Sequence, residues 1–187
     1  MVMGRYRDAS DEFLVSASLQ GDQQAFEELV NRYKKMVART VKGMLGDSVF
    51  AEDIGQEVFI KLYYSLSGFR GDAKLSTYIQ KIAVNLTLNE LKRRKRFFSL
   101  FIQKADDELY EYDIAGEDVE SKHDAKATVE KALETLEPKF RAVVTMRMLQ
   151  GYSTKETAKI LEVPEGTVLS RLSRAQDQLR KYLKNDE

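Results

Sequence analysis

Five polar side chains, Lys81, Asn85, Asn89, Lys92 and Arg96, recur at three- or four-residue steps and so fall on one face of a helix. An amide offers both a donor and an acceptor to a base edge. A cation neutralises a phosphate, which supplies affinity but no sequence information. The run 92–96, KRRKR, adds Arg93 and Arg94 to that end. Such a stripe suits a nucleic acid; a solvated helix with an ordinary basic end gives the same pattern. Ile79, Ile82, Ala83 and Leu86 recur at i, i+3, i+4, i+7 on another face, as a core-facing helix requires. The loop 69–76, FRGDAKLS, precedes this helix with an aromatic wall (Phe69), a glycine that lets backbone approach closely (Gly71) and polar atoms on Arg70, Asp72 and Lys74.

A second constellation lies at 153–183. Ser153 and Glu156 stand three apart, as a capping box requires. A short helix to Leu161, a turn at 162–164 and a longer helix from Glu165 make a helix-turn-helix. Ala158 and Ile160 are expected to pack the first helix, and Val168 and Leu172 the second. The start of the second helix would then present Glu165, Thr167, Ser170, Arg171 and Arg174 to a major groove, with Lys155 on the preceding helix. Helix pairs of this shape also occur without DNA.

The 187 residues allow one large domain or two small ones, and 43% hydrophobic content is enough for packed cores. Net charge is zero, which by itself disfavours nucleic acid, but the charge is unevenly placed. Residues 1–96 carry 16 Lys+Arg against 12 Asp+Glu, net +4; 97–123 carry 2 against 8, net −6; 124–187 carry 12 against 10, net +2. Two mildly basic blocks flank an acidic one. There is no cysteine and one histidine, His123, so neither a disulfide framework nor a metal site is expected, and no cofactor. No apolar run approaches the ~20 residues that span a bilayer, and the first residues lack the apolar core of a signal peptide. A cytoplasmic protein without membrane insertion is expected.

The elements that must position these residues are helical throughout. Asp22 can cap a helix through Leu29, Tyr33 and Val37, and Gly43 and Gly46 mark its end. Asp47 or Ser48 can cap the next, with Ile54, Val58, Phe59 and Leu62 facing inward and Asp53, Gln56 and Glu57 outward. The long helix follows, to about Arg96. Pro138 suits a first helical position. The expected fold is therefore all-α: an N-terminal helical bundle (1–99), an acidic flexible linker (100–123) and a C-terminal helix-turn-helix domain (124–187).

In order, these segments resemble a family. GDQQAFEELVNRY, AEDIGQEVFIKLY, FRGDAKLSTYIQKIAVNLTLNELKRRKR and GYSTKETAKILEVPEGTVLSRLSRAQDQLRKYL are similar to successive conserved segments of bacterial RNA polymerase sigma factors of the extracytoplasmic-function (ECF) group. The match covers about 21–96 and 125–183. The resemblance implies a detachable specificity subunit, not an enzyme. Asp53, Gln56 and Glu57 would dock on the β′ coiled coil of core polymerase, and the β flap would be a second contact. Phe69, Arg70, Gly71, Asp72, Lys74, Tyr78, Lys81, Asn85, Asn89, Lys92, Arg93 and Arg96 would open and read the minus-ten element of promoter DNA. The helix-turn-helix would read the minus-thirty-five element. An anti-sigma factor is an implied partner. Tyr78 departs from the family's usual tryptophan, which keeps an aromatic face but loses ring area. The alternative is a stand-alone helix-turn-helix regulator, and it has no need of an acidic docking face beside a basic strand-reading helix.

Overall fold

Ser10 approaches in an extended conformation, and its hydroxyl accepts from the Phe13 N–H, which starts α1 (Asp11–Leu19). The computed structural model describes residues 6–46, 48–105 and 125–185. Asp22 caps α2 (Gln23–Leu45), its carboxylate accepting from the N–H groups of Gln24 and Ala25. Gly46, at φ 69°, ends α2, and its N–H closes on the Lys42 carbonyl. Gly43 lies inside the helix and does not end it.

The expected side-chain cap of α3 (Phe50–Ser65) is absent: Val49 occupies the cap position without a side-chain bond. The Ser48 hydroxyl instead accepts from Arg94, so another helix has claimed it. Asp47 lies outside the described residues. A 3-10 turn, Leu66–Gly68, leads through the loop into α4 (Leu75–Ala105). This helix continues past Arg96, into what composition assigned to the linker. The acidic residues 106–124 and His123 lie outside the described residues.

Leu14, Leu29, Val41, Val58, Leu62, Ile79 and Ala83 interlock from α1 to α4 as the first core. All are fully buried, each contributing roughly 1.5–3 kcal/mol for the larger side chains.

The C-terminal unit comprises α5 (Ala125–Glu134), α6 (Pro138–Val144), a π turn (Thr145–Leu149), α7 (Thr154–Leu161) and α8 (Glu165–Asn185). Pro138 occupies the first turn of α6, and Ser153 and Glu156 form the full capping box of α7. Leu133, Leu136, Phe140, Val144 and Ala175 make one core; Val143, Ala158 and Val168 make another, which seats the helix-turn-helix.

A third cluster joins the two units. Met44 and Val84 from the first pack with Ala142, Met146 and Ile160 from the second. Ile160, expected to pack within its own motif, packs with Ala142 and Met146 of its own unit and also reaches Val84 of α4. The seam also carries polar contacts. Gln80, fully buried, accepts from the Thr40 hydroxyl at 2.8 Å and donates to the Tyr152 hydroxyl at 3.3 Å. Arg141 donates to the Met44 carbonyl at 2.9 Å, and Thr145 to the Gly43 carbonyl at 3.1 Å. Both carbonyls belong to the last turn of α2, which has no helical partner for them. Each such bond contributes about 0.5–1.5 kcal/mol net. The more exposed Lys81–Glu162 pair, at 3.2 Å, contributes roughly 0–1 kcal/mol. Apolar burial and the buried bonds therefore hold the seam, and the ion pair trims its edge.

Candidate nucleic-acid interface

Two aromatic rings meet where the loop enters α4. Phe69 and Tyr78 sit 5.3 Å apart, tilted by 51°, and the Tyr78 hydroxyl donates to the Ser65 carbonyl at 3.1 Å. Phe69 is half-buried against the first core, so it is an anchor as well as a wall. Gly71 turns the loop at φ 78°, a conformation that disfavours a side chain. Together with Arg70, Asp72, Thr77 and Lys81 these residues line a solvent-open hollow of about 180 Å³.

Beyond the hollow, Asn85 and Asn89 are exposed on successive turns of α4, and Lys92, Arg93 and Arg96 are exposed at its basic end. From Lys81 to Arg96 the stripe runs about 22 Å at 1.5 Å per residue. Asn85 does not cap the loop backbone, the alternative role for such an amide. The reverse face is buried twice over. Ile79 and Ala83 enter the first core, while Gln80, Val84 and Thr87 are covered too, Val84 by the helix-turn-helix unit.

Glu90 organises the basic end. Its nearly buried carboxylate accepts from Arg93 at 2.7 and 3.0 Å and from Arg94 at 3.0 Å. Bonding to Arg93, with Arg94 adding to it, holds the Glu90 carboxyl below the usual carboxylate range against the opposing effect of burial. Arg94 also lies 4.5 Å over the Phe50 ring, so it is a structural residue more than a phosphate contact. Sequence reading passed over Glu90. The signal was present as an acid three and four residues before two arginines.

On the C-terminal unit, Glu162 takes the left-handed conformation, φ 55°, and so breaks α7 from α8. Lys155, Glu165, Ser170 and Arg174 are exposed; Thr167 and Arg171 are half-buried. The Ser170 hydroxyl donates to the Thr167 carbonyl at 3.1 Å and keeps its oxygen available as an acceptor. On α3, Asp53, Gln56 and Glu57 are all exposed. Asp53 and Glu57 form one wall of a groove of about 610 Å³ whose far side carries Asn89 and Arg93. The acidic face and the basic helix thus meet along one groove. Among the described residues no cluster of His, Cys, Asp or Glu could hold a metal, and no helix is long and apolar enough to cross a membrane.

Two packed helical units, one offering an amide-and-cation helix beside an aromatic hollow and the other a helix-turn-helix, present the kind of surfaces that suit a nucleic acid. The Sigma-70 region 2 family matches residues 29–97, and the Sigma-70, region 4 family matches 126–179. The chain is 33% identical over 180 residues to the RNA polymerase sigma-H factor of Pseudomonas aeruginosa, covering 92% of this chain and 93% of that one. It is 33% identical to the ECF RNA polymerase sigma factor SigW of Bacillus subtilis, covering 88% and 92%. It is 34% identical to the ECF RNA polymerase sigma-E factor of Escherichia coli, covering 90% and 91%. The fold resembles CnrH, solved in complex with the cytosolic domain of CnrY, at a TM-score of 0.69 and 21% identity over 95% of this chain and 99% of that one. It also resembles the sigma factor RpoE of Bartonella quintana, solved with the anti-sigma factor NepR, at 0.65 and 22% over 87% and 98%. The chain belongs to the sigma-70 family, as a sigma factor of the ECF type that directs transcription initiation. The stand-alone regulator reading is not favoured, because the region 2 match accounts for the first unit.

Proposed function

We propose that this sigma factor docks on core RNA polymerase through Asp53, Gln56 and Glu57, on the arginine-rich coiled coil of β′, with the β flap as a second contact. In this reading the 69–76 loop, Tyr78 and Lys81 receive an unpaired base of the minus-ten element. Asn85 and Asn89 read base edges beside it, and Lys92, Arg93 and Arg96 hold the adjoining phosphates. Glu165, Thr167, Ser170 and Arg171 read the minus-thirty-five duplex, with Lys155 and Arg174 on its backbone. The chain performs no chemistry of its own; it supplies specificity and strand opening to a polymerase in the cytoplasm. An anti-sigma factor is its expected antagonist, in line with RpoE having been solved with one.

The observation that carries the reading is the continuity of the exposed stripe with the hollow. A base leaving the stack costs a few kcal/mol, which a stacking wall and edge bonds must offset. Phe69 and Tyr78 supply the wall at one end of a row of exposed amides. The test is transcription from a matched promoter by purified core polymerase with and without this chain. Initiation that does not depend on the chain would refute the proposal.

A further inference from the structure

Glu90 stands between the surfaces that the proposed function assigns to DNA and to polymerase. It follows the exposed Asn89 and precedes the cations 92–96, yet its side chain is only 7% exposed. An acid there repels phosphate, and burying it costs solvation. Both of its oxygens are engaged. Oε2 accepts from Arg93 Nε at 2.7 Å; Oε1 accepts from Arg93 Nη2 at 3.0 Å and from Arg94 Nε at 3.0 Å.

The two arginines are sent different ways. Arg94 turns to α3, where its Nη2 donates to Ser48 Oγ at 3.3 Å and its guanidinium lies 4.5 Å over the Phe50 ring. Arg93 stays in water, with 68% of its side chain exposed against 34% for Arg94. Glu90 grips Arg93 through both Nε and Nη2, which fixes the plane of the guanidinium. The Nη1 hydrogens and one Nη2 hydrogen then remain to bond a phosphate. Asp53 and Glu57 line the same groove as Arg93, on its α3 wall. Without Glu90, those acids would draw the released guanidinium toward α3 and away from DNA.

We propose that Glu90 is a positioning residue for promoter binding: it ties Arg94 into the fold, aims Arg93 at a phosphate and keeps Arg93 off the docking acids. This role rests on the phosphate contact proposed for Arg93 above. Charge alone demands the opposite sign, because removing an acid from a DNA-facing surface strengthens binding. Positioning requires binding to weaken although a negative charge is lost.

The test titrates holoenzyme, assembled from core polymerase and the full chain, with a labelled single-stranded oligonucleotide carrying the minus-ten element of the matched promoter. Salt is varied, and helicity is checked for every variant. Arg93→Ala should weaken binding and flatten the slope of log affinity against log salt by about 0.7, the value for one phosphate on a single strand. Glu90→Gln should weaken binding about threefold or more, on the scale of one lost hydrogen bond. In an Arg93→Ala background it should weaken binding no further. Arg94→Ala separates stability from positioning: it removes the arm to Ser48 and Phe50, so it should melt earlier yet bind DNA as the parent does. Glu90→Gln binding as tightly as the parent, or more tightly, would overturn the positioning role alone. So would an equal loss with and without Arg93, or a loss on Arg94→Ala as large as on Glu90→Gln. Unchanged affinity and slope for Arg93→Ala would overturn the proposed phosphate contact, and the positioning role with it.

Discussion

The Phe69 and Tyr78 rings meet at 5.3 Å, and the Tyr78 hydroxyl reaches across to the Ser65 carbonyl at 3.1 Å. One residue therefore both lines the hollow and fastens the loop to the end of α3. The hydroxyl that distinguishes it from the family's usual tryptophan is in use.

Tyr78→Phe should keep the wall and lose the fastening. The expected cost is about 0.5–1.5 kcal/mol of stability, read by thermal unfolding, with strand opening largely retained. Phe69→Ala should cost more, about 3–5 kcal/mol for a fully buried ring and less here because Phe69 is only half-buried. A Tyr78→Phe protein that melts with the parent would show that the Ser65 bond contributes nothing.

Asn85→Ala is expected to impair transcription on a duplex promoter and to be partly rescued on a template with a pre-melted bubble. The amide is exposed beside the hollow and supports no fold contact, so stability and core binding should be unchanged. Equal activity of variant and parent on duplex DNA would remove Asn85 from base reading.

Glu57→Arg should weaken binding to core polymerase at least tenfold, measured by competition with a labelled sigma factor. Acid–arginine pairs at a partly desolvated contact are charge-assisted, and reversal replaces attraction by repulsion. Its wall of the groove is exposed, so helicity should not change. Unaltered affinity would place the docking face elsewhere.

Glu90 predicts a pH dependence. Its carboxyl is lowered in the folded state, chiefly by Arg93 and also by Arg94. The unfolded chain then binds the proton more readily, so the contribution is present above the unfolded value near 4.3 and is lost as pH falls through the folded value. Glu90→Gln should lower stability by about 1–3 kcal/mol at neutral pH and flatten the acid-side loss below about pH 4.5. Identical acid-unfolding curves for the two proteins would dismiss the linkage.

Periodicity in the chain was enough to place α2, α3 and most of α4, because an apolar stripe every 3.6 residues specifies a helix and its buried face from local sequence; α1 and the far end of α4 were not read from it. The Asp22 cap, the Ser153–Glu156 box and Pro138 at a helix start are local bonds between near neighbours, and all three stand as spacing implied. The exposed amides and cations of α4 followed from the same stripe by subtraction. What spacing could not reveal was the second partner of α4. Gln80 and Val84 belong to neither periodic stripe, and it is the second unit that covers them, through Tyr152, Met146 and Ile160. Gly43 read as a helix end and proved to be a contact point, and Ser48 lost its capping role to Arg94. These outcomes join residues dozens to a hundred positions apart, and no local pattern encodes which distant surface will cover a face. The sequence alone determined most of the elements, several of their caps and the family; the tertiary structure decided which faces those elements pack against each other and which stay exposed.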